Sequence, residues 1–280
     1  MVFGGLDLNA LLQLVAALIA AGLFAGLIAG LFGVGGGVVI VPALYFALGV
    51  LGFPDERMHV AVATSLSTII LTSANSVRAH AAKGAVDFTV LKTWLPWIFG
   101  GAAVGSVVAG FTSGPWLSII FGVLALAVAA NMAFLKDGWV IAPDLPIGGA
   151  RAAVASTIGG LSAMMGIGGG AFGVMVMTLC GRPIHQAVGT AAGFGAAIGI
   201  PAVIGFIITG WDVAGRPPLS LGYVNVPGFI AIGLLTSLVA PYGAKLAHRL
   251  DRILLKRLFA AFLALTALNI LHEGILALTA

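Results

Sequence analysis

Two clusters of consecutive glycines are the residues whose type and spacing point most directly to chemistry. Each cluster follows a long apolar segment and precedes a short one. Consecutive glycines interrupt a helix and remove side chains, so free amides at the start of the next helix can face a ligand, and such amides bind anions. The alternative is that these glycines only allow close helix packing. The candidate binding residues are Gly35, Gly36, Gly37, Gly168, Gly169 and Gly170.

A second candidate feature is the density of hydroxyl and amide side chains in the apolar segment at 58–78. Thr64 and Ser65 lie near its start and Asn75 near its end, and Thr190 occupies a matching position further along the chain. These side chains offer neutral hydrogen-bond donors to an anion. Ser and Thr in membrane helices also commonly bond to their own backbone, and that alternative stays open.

Four basic or titratable side chains flank the polar segments. His59 and His185 begin matching segments, where a histidine could carry a coupling proton near neutral pH or be an interfacial residue. Arg78 and His80 close the first polar segment, where they would attract an anion into a vestibule or act as topology signals. No metal site is expected, because Cys180 is the single cysteine and the histidine spacing supplies no ligand set.

The composition predicts that these residues lie in a membrane. Hydrophobic residues make up 60% of the chain and charged residues only 8%, whereas soluble domains have about 25% charged residues. No charged residue lies between Asp7 and Asp55 or between Lys92 and Lys136. Each gap can hold at least one span of about 20 apolar residues. The sequence therefore predicts an all-α polytopic membrane protein.

Charges, prolines and glycine clusters divide the chain into apolar segments. They cover residues 9–32, 37–52, 58–78, 92–111, 116–135, 151–166, 169–181, 185–209, 225–247 and 254–276. The segments at 37–52 and 169–181 are short for a full crossing, so we expect short helices or halves of re-entrant hairpins there. The prediction is about eight to ten transmembrane or re-entrant helices.

Lysine and arginine in short loops predict the orientation, because these residues stay preferentially on the cytoplasmic side. With the loop around Lys83 inside, alternation puts all but Arg57 and Arg216 of the 13 basic residues on that side. Both termini are then expected to be periplasmic.

An internal repeat divides the chain into two similar halves. Three stretches recur in the same order: 33–37 and 166–170, 59–64 and 185–190, and 84–87 and 222–225. With five segments per half, the second copy enters the membrane from the opposite face. The sequence therefore predicts an inverted-topology repeat with halves 1–138 and 139–280, an architecture found in many secondary transporters.

The middle of the predicted spans contains no Asp or Glu, which favours an anion over a cation, since cation carriers commonly have such a carboxylate. The sequence has no His-Glu-x-x-His motif and no Gly-Lys-Ser/Thr after either glycine cluster. Its basic residues lie in loops, which indicates topology rather than nucleic-acid binding. We expect no enzymatic activity, no cofactor and no nucleic-acid partner.

Four stretches of the sequence together have the form of paired family signatures. They are Gly30 to Gly37 with Val41-Pro42, Ala61 to Ser65, Gly166 to Gly170, and Ala187 to Thr190. This set resembles the sulfite exporter TauE/SafE family over essentially the whole chain. The second copy differs in having Met175 and Met177 near the place where Val-Pro would follow the glycines. The resemblance implies a permease of the bacterial inner membrane that exports sulfite or an organosulfonate such as sulfoacetate.

The expected function is a secondary transporter that moves a small anion by alternating access. The resemblance specifies sulfite or an organosulfonate as substrate and export as direction. A passive anion channel or facilitator and a non-transporting membrane scaffold are the alternatives. The expected partners are the anion and the lipid bilayer, with a coupling proton and a homodimer as open options.

Overall fold

The computed structural model describes residues 8–32, 36–134, 139–247 and 252–279. Within these residues the chain forms eleven helices and one short antiparallel hairpin. The helices are α1 (Leu8–Phe32), α2 (Gly37–Val50), α3 (Arg57–Ala82), α4 (Phe88–Phe111), α5 (Gly114–Phe134), α6 (Gly148–Met165), α7 (Gly170–Leu179), α8 (Ile184–Ala192), α9 (Phe194–Thr209), α10 (Val226–Ala247) and α11 (Arg252–Thr279). The hairpin strands are β1 (Ser220–Leu221) and β2 (Val224–Asn225).

Five helical stretches of the described chain are long and apolar enough to cross a membrane. They are α3, α4, α5, the α8–α9 stretch and α11 from Lys256 onward. The prediction of a helical, multi-pass membrane protein is confirmed. Both short apolar segments form short helices, with 14 residues in α2 and 10 in α7. At 1.5 Å per residue neither can cross a hydrocarbon core of about 30 Å alone.

Two features of the backbone go beyond the sequence prediction. The predicted segment at 185–209 is divided at Gly193 into α8 and α9. The chain before α10 forms the β1–β2 hairpin, in which Ser220 pairs with Asn225 and Leu221 with Val224. Neither the division nor the hairpin was predicted.

The central helix of the bundle is α3. Every residue from Met58 to Ile69 is buried, whether it is polar or apolar. Its neighbours include α2, α5, α6, α8, α9, α10 and β2. A helix that is buried on all faces over three turns lies in the interior of a protein rather than against lipid. Polar side chains in this part of α3 therefore face other helices.

Two long helix pairs depend on glycines for close packing. In the pair of α1 and α10, a Cβ added to Gly26 would come within 2.9 Å of the Cα of Thr236. In the pair of α4 and α6, a Cβ on Gly159 would overlap the carbonyl oxygen of Ile98. Small residues at such contacts let two backbones approach, which is how helices commonly associate in membranes.

The last helix is fixed to the centre of the bundle by charge. Glu273 of α11 lies 2.5 Å from Arg57 Nη2 at the start of α3 and accepts a hydrogen bond of 3.1 Å from the Tyr45 hydroxyl of α2. The Arg57 guanidinium also lies over the Tyr45 ring, 4.1 Å from its centroid. One carboxylate thus connects α2, α3 and α11, in addition to the packing of α11 against α5.

We predict that Gly159→Ala lowers the stability of the protein. The added methyl group meets the Ile98 backbone, which cannot turn aside as a side chain can, and overpacking of this kind costs about 1–3 kcal/mol. The measurement is thermal unfolding of the detergent-purified protein. The control is Gly149→Ala in the same helix, where a Cβ has no atom within 4 Å. Equal melting temperatures for the two variants would contradict the packing assignment.

Candidate functional site

The two predicted glycine clusters meet in the structure. A Cβ added to Gly37, the first residue of α2, would come within 2.6 Å of the carbonyl oxygen of Gly166 and 3.0 Å of the Cα of Ile167. Gly166 and Ile167 belong to the turn between α6 and α7. Only residues without side chains allow so close an approach. We call this contact, together with residues 166–169, the glycine junction.

Helix α3 passes the glycine junction close to its own midpoint. Ile69 is the thirteenth of its 26 residues, and its side chain would lie 2.8 Å from a Cβ on Gly37 and 2.7 Å from one on Gly168. One turn earlier, Ser65 Oγ donates a hydrogen bond of 2.8 Å to the carbonyl oxygen of Gly166. Of the predicted hydroxyl residues, Ser65 is therefore the one that lies directly at the junction.

Both short helices begin at the glycine junction without a side-chain cap. The N-cap residues are Gly36 for α2 and Gly169 for α7, and neither helix receives a capping hydrogen bond from a side chain. Gly169 has a φ of +74°, a left-handed conformation that favours glycine. Gly170 is the first residue of α7. Because the first amides of an α-helix have no partner within the helix, the two starts offer donors with partial positive charge.

Two buried hydroxyl groups near the clusters have no hydrogen-bond partner in the part of the chain that the structure describes. One is Thr236 Oγ1 of α10, whose methyl group would lie 3.8 Å from a Cβ on Gly36. The other is Ser162 Oγ of α6, one turn before Gly166. A buried hydroxyl without a partner costs free energy, so both groups are candidate donors to a bound anion. The sequence analysis missed them, because single polar residues in apolar segments commonly bond to their own helix.

The hydroxyl groups of the predicted site residues Thr64 and Thr190 each accept a hydrogen bond from a backbone amide in a distant part of the chain. The amide of Asn225 donates a hydrogen bond of 3.0 Å to Thr64 Oγ1, and the amide of Asp87 donates one of 2.9 Å to Thr190 Oγ1. Both threonines are fully buried. Asp87 precedes α4 and Asn225 precedes α10, so each hydroxyl holds the start of another helix.

The comparison with known families agrees with this architecture. The model of the family described as "Sulfite exporter TauE/SafE" matches residues 18–270, which is most of the chain. The chain belongs to the sulfite exporter TauE/SafE family. The predicted resemblance is therefore confirmed, and the TauE/SafE chain is a membrane transporter.

Curated relatives of this TauE/SafE chain carry the same general description. A "Probable membrane transporter protein" of Haemophilus influenzae is 31% identical over 245 residues, which cover 85% of this chain and 90% of the relative. One of Methanocaldococcus jannaschii is 24% identical over 236 residues, covering 79% of this chain and 80% of the relative. One of Bacillus subtilis is 30% identical over 172 residues, covering 52% and 61%. No solved structure matches the chain.

A further hydroxyl of this TauE/SafE chain supports the interruption between α8 and α9. Ser73 Oγ of α3 donates a hydrogen bond of 2.6 Å to the carbonyl oxygen of Ala192 and accepts one of 3.0 Å from the amide of Ala196. Gly193, at the break, lies between these two backbone groups. Ser73 thus provides partners for backbone groups that the interrupted helix leaves free. The sequence analysis did not single out Ser73 as a site residue.

Other predicted site residues lie away from the glycine junction. Asn75 and Arg78 follow on α3 with exposed side chains. His80 is half-buried, and its Cβ would lie 3.2 Å from a Cβ on Gly189 of α8. Gly35 lies outside the residues that the structure describes.

The two matching histidines have different surroundings. His59 is only 2% exposed and contacts the end of α4, where Ala109 O and Thr112 O lie 3.2 and 2.8 Å from its Nε2. His185 is exposed at the start of α8. The two residues are therefore not equivalent in environment, although their positions in the sequence match.

We predict that Thr190→Val and Thr64→Val each lower the stability of the protein. Either change leaves a backbone amide without its acceptor, at a cost of about 1 kcal/mol. The measurement is thermal unfolding in detergent. Thr190→Ser and Thr64→Ser are the matched controls, because serine keeps the accepting hydroxyl. If the valine variants melt like the serine variants, the hydroxyl contacts do not hold α4 and α10.

Proposed function

We propose that this TauE/SafE protein is a secondary transporter for a small oxyanion, with sulfite or an organosulfonate as substrate. The observation that carries the proposal is the contact between the start of α2 and the turn that leads into α7, near the midpoint of α3, with neither helix capped by a side chain. Paired half-helices whose N-termini point at an anionic group near the bilayer midplane are a recurrent design of secondary transporters.

The chemistry of the glycine junction suits an anion. Its residues contribute backbone amides, with Ser162 and Thr236 as further buried donors. The Ser65 hydroxyl, which donates to Gly166 O in this conformation, becomes available to an anion when the junction opens. The residues named at the junction include no carboxylate. A cation would need oxygen ligands with negative charge, whereas amide and hydroxyl donors complement the oxygens of a sulfite or sulfonate group.

Alternating access would follow from an exchange of conformation between the two halves, 1–138 and 139–280. Equivalent contacts support two similar halves. Gly26 contacts Thr236 while Gly159 contacts Ile98, and the glycines are 133 residues apart, the same spacing that relates 33–37 to 166–170.

The helix caps repeat in the same way. Asp87 Oδ1 accepts hydrogen bonds of 3.0 Å from the amides of Thr89 and Val90 at the start of α4. Asn225 Oδ1 accepts one of 2.8 Å from the amide of Gly228 at the start of α10. These two caps are also the residues that bond to Thr190 and Thr64. The repetition favours an inverted repeat. The family membership and the distribution of basic residues further support the bacterial inner membrane as location, periplasmic termini and export as the direction of transport.

The close contact at the glycine junction bears on the mechanism. A distance of 2.6 Å between the Cβ position of Gly37 and the oxygen of Gly166 leaves no room for an anion between these two residues. Binding between the helix starts would therefore require them to separate. A movement of this kind fits a carrier better than a permanently open channel.

We predict that sulfite or sulfoacetate raises the melting temperature of the purified protein, whereas chloride does not. Selective binding to the folded state must stabilise it, by about 2.7 kcal/mol at a hundredfold excess over the dissociation constant. Ser65→Ala should weaken this binding by about fivefold, since a neutral hydrogen bond contributes about 1 kcal/mol. Ser106→Ala is the matched control, because this buried hydroxyl bonds to Ala103 O of its own helix.

We predict that Gly168→Ala slows anion transport in liposomes. The new methyl group would lie 2.7 Å from Ile69 Cγ2, and a strain of about 1–3 kcal/mol would slow flux by about tenfold or more. Gly100→Ala is the control, because a Cβ at that position of α4 has no atom within 4 Å.

Several results would contradict the proposal. Non-saturable flux that cannot be driven uphill would favour the channel. A protein that binds and moves no anion would favour the membrane scaffold. Equal flux in folded Gly168→Ala and Gly100→Ala variants would remove the glycine junction from the transport path.

A further inference from the structure

A buried histidine and carboxylate lie together at the end of the bundle where α3 begins. His59 Nδ1 is 3.0 Å from Glu56 Oε2. Both atoms are buried, and neither makes a hydrogen bond within the described chain. Their separation suits an ion pair, but their orientation does not meet the geometry of a hydrogen bond. The His59 side chain is 3% exposed and the Glu56 side chain 20%, so the pair lies just below the surface.

The other ring nitrogen fixes the tautomer of His59. Nε2 faces the carbonyl oxygens of Ala109 and Thr112, at 3.2 and 2.8 Å. Carbonyl oxygens only accept hydrogen bonds, so Nε2 carries a proton. In neutral imidazole Nδ1 is then an acceptor, and it faces the carboxylate of Glu56, which in its ionised form also only accepts.

Two facing acceptors at this distance are unfavourable unless one of them takes up a proton. The proton can sit on Nδ1, which gives an imidazolium beside a carboxylate, or on Glu56, which neutralises the carboxylate. In either case the pair holds one proton more than neutral His59 with ionised Glu56. The geometry therefore describes a place for one exchangeable proton.

The neighbouring groups leave this proton to the pair. Tyr223 of the hairpin stacks on the His59 ring, with 4.6 Å between centroids and 16° between planes. Burial first, and then the negative charge of Glu56 and the hydrogen bond of its carboxylate with the Tyr223 hydroxyl, raises the pKa of Tyr223 to about 12, while the positive charge of Arg216 acts in the opposite direction. The phenol therefore stays neutral at physiological pH. The facing end of α4 contributes backbone carbonyls.

The nearby charged side chains have other contacts. Arg216 donates hydrogen bonds to the carbonyl oxygens of Val213 and Gly222 in its own loop. Arg57 pairs with Glu273. Asp55 is exposed before α3.

The pair lies where separate parts of the fold meet. Glu56 and His59 lie at the start of α3, the two carbonyl groups belong to the end of α4, and Tyr223 belongs to the hairpin that leads into α10. A change in the charge of the Glu56–His59 pair would therefore alter the contacts between the segment at 57–111 and the hairpin. The matching His185 is exposed, so the arrangement is confined to one end of the bundle.

We propose that Glu56 and His59 form a proton-binding site that couples anion transport to proton movement, an inference that rests on the proposed transport function. A proton enters from the solvent at this end of the bundle and is held by one member of the pair, Nδ1 or the carboxylate. Its binding or release changes the contact of α3 and α4 with the hairpin, and this shifts the balance between the two conformations of the carrier.

The first test compares two modes of transport in liposomes. Accumulation of sulfite or sulfoacetate driven by a pH gradient needs proton coupling, whereas exchange of anion at equal pH does not. His59→Gln keeps an N–H that can donate to the α4 carbonyls but cannot titrate. We expect it to lower gradient-driven accumulation by about tenfold or more and to leave exchange within about threefold of the native rate. Glu56→Gln should do the same.

The matched control is His185→Gln, which should resemble the native protein in both modes. Unchanged gradient-driven accumulation in His59→Gln would overturn the proposal. Equal loss of both modes in a folded variant would also overturn it, because that result indicates a structural role. If the native protein moves no anion in either mode, the proposed transport function fails, and the proton site is then judged by a second measurement.

That measurement is nuclear magnetic resonance of the native protein with nitrogen-15 in its histidines, with the His59 signals assigned by their loss in His59→Gln. We expect Nε2 to stay protonated while Nδ1 gains and loses a proton as the pH is varied. Glu56→Gln should change that response and His185→Gln should not. An Nδ1 that keeps one state at every pH at which the protein stays folded, in both the native protein and Glu56→Gln, would overturn the site independently of any transport assay.

Discussion

This structure depends on one constraint. Inside a bilayer, every backbone amide and carbonyl needs a hydrogen-bond partner. Lipid supplies no hydrogen bonds, so a helix that stops within the membrane leaves polar groups that the protein must satisfy. In the described chain, α2 begins at the first glycine cluster, α6 ends and α7 begins at the second, and the α8–α9 stretch is interrupted at Gly193. At two of these interruptions a serine of α3 supplies a partner, Ser65 for Gly166 and Ser73 for the α8–α9 break.

The same constraint explains why α3 combines helical regularity with an unusual number of polar side chains. Ser67 and Thr68 bond to carbonyl oxygens one turn earlier, at 2.6 and 2.7 Å, and so satisfy themselves locally. Thr64, Ser65 and Ser73 instead reach other segments. The helix therefore acts as a scaffold whose hydroxyls fix the irregular backbone around it. The uncapped starts of α2 and α7 keep backbone amides that bond to none of these hydroxyls. These free amides make an anion a suitable ligand.

The sequence was sufficient for the main elements and for the most important contact of the candidate site. Apolar length marks a membrane helix clearly, and the consecutive glycines within apolar chain mark the starts of α2 and α7. The positions of individual polar side chains were harder to predict. Asn75 lies on the same helix as Ser65 but is exposed. The sequence does not distinguish the two positions, because lipid-facing and helix-facing positions are both apolar and leave no clear periodicity.

Contacts between distant segments could not be predicted from composition or spacing. The sequence analysis treated His59 and His185 as equivalent, yet only His59 meets a carboxylate, an aromatic ring and the end of another helix. Its burial depends on Tyr223, which lies on a hairpin with two residues in each strand. So short a hairpin has no hydrophobic pattern that could reveal it. The unpaired hydroxyls of Ser162 and Thr236 are likewise visible only once their surroundings are known.

The pairing of early with late helices has a consequence for biosynthesis. Helix α1 packs on α10, α5 packs on α11, and Arg57 finds Glu273 216 residues further along the chain. A ribosome delivers these partners much later, so the early helices must wait in the membrane with interfaces still open to lipid. Helix α2 and the start of α3 obtain their shared carboxylate only after the 216 residues that follow Arg57 have been made. Assembly of the centre of this protein is therefore a late, post-insertion event rather than a stepwise addition of hairpins.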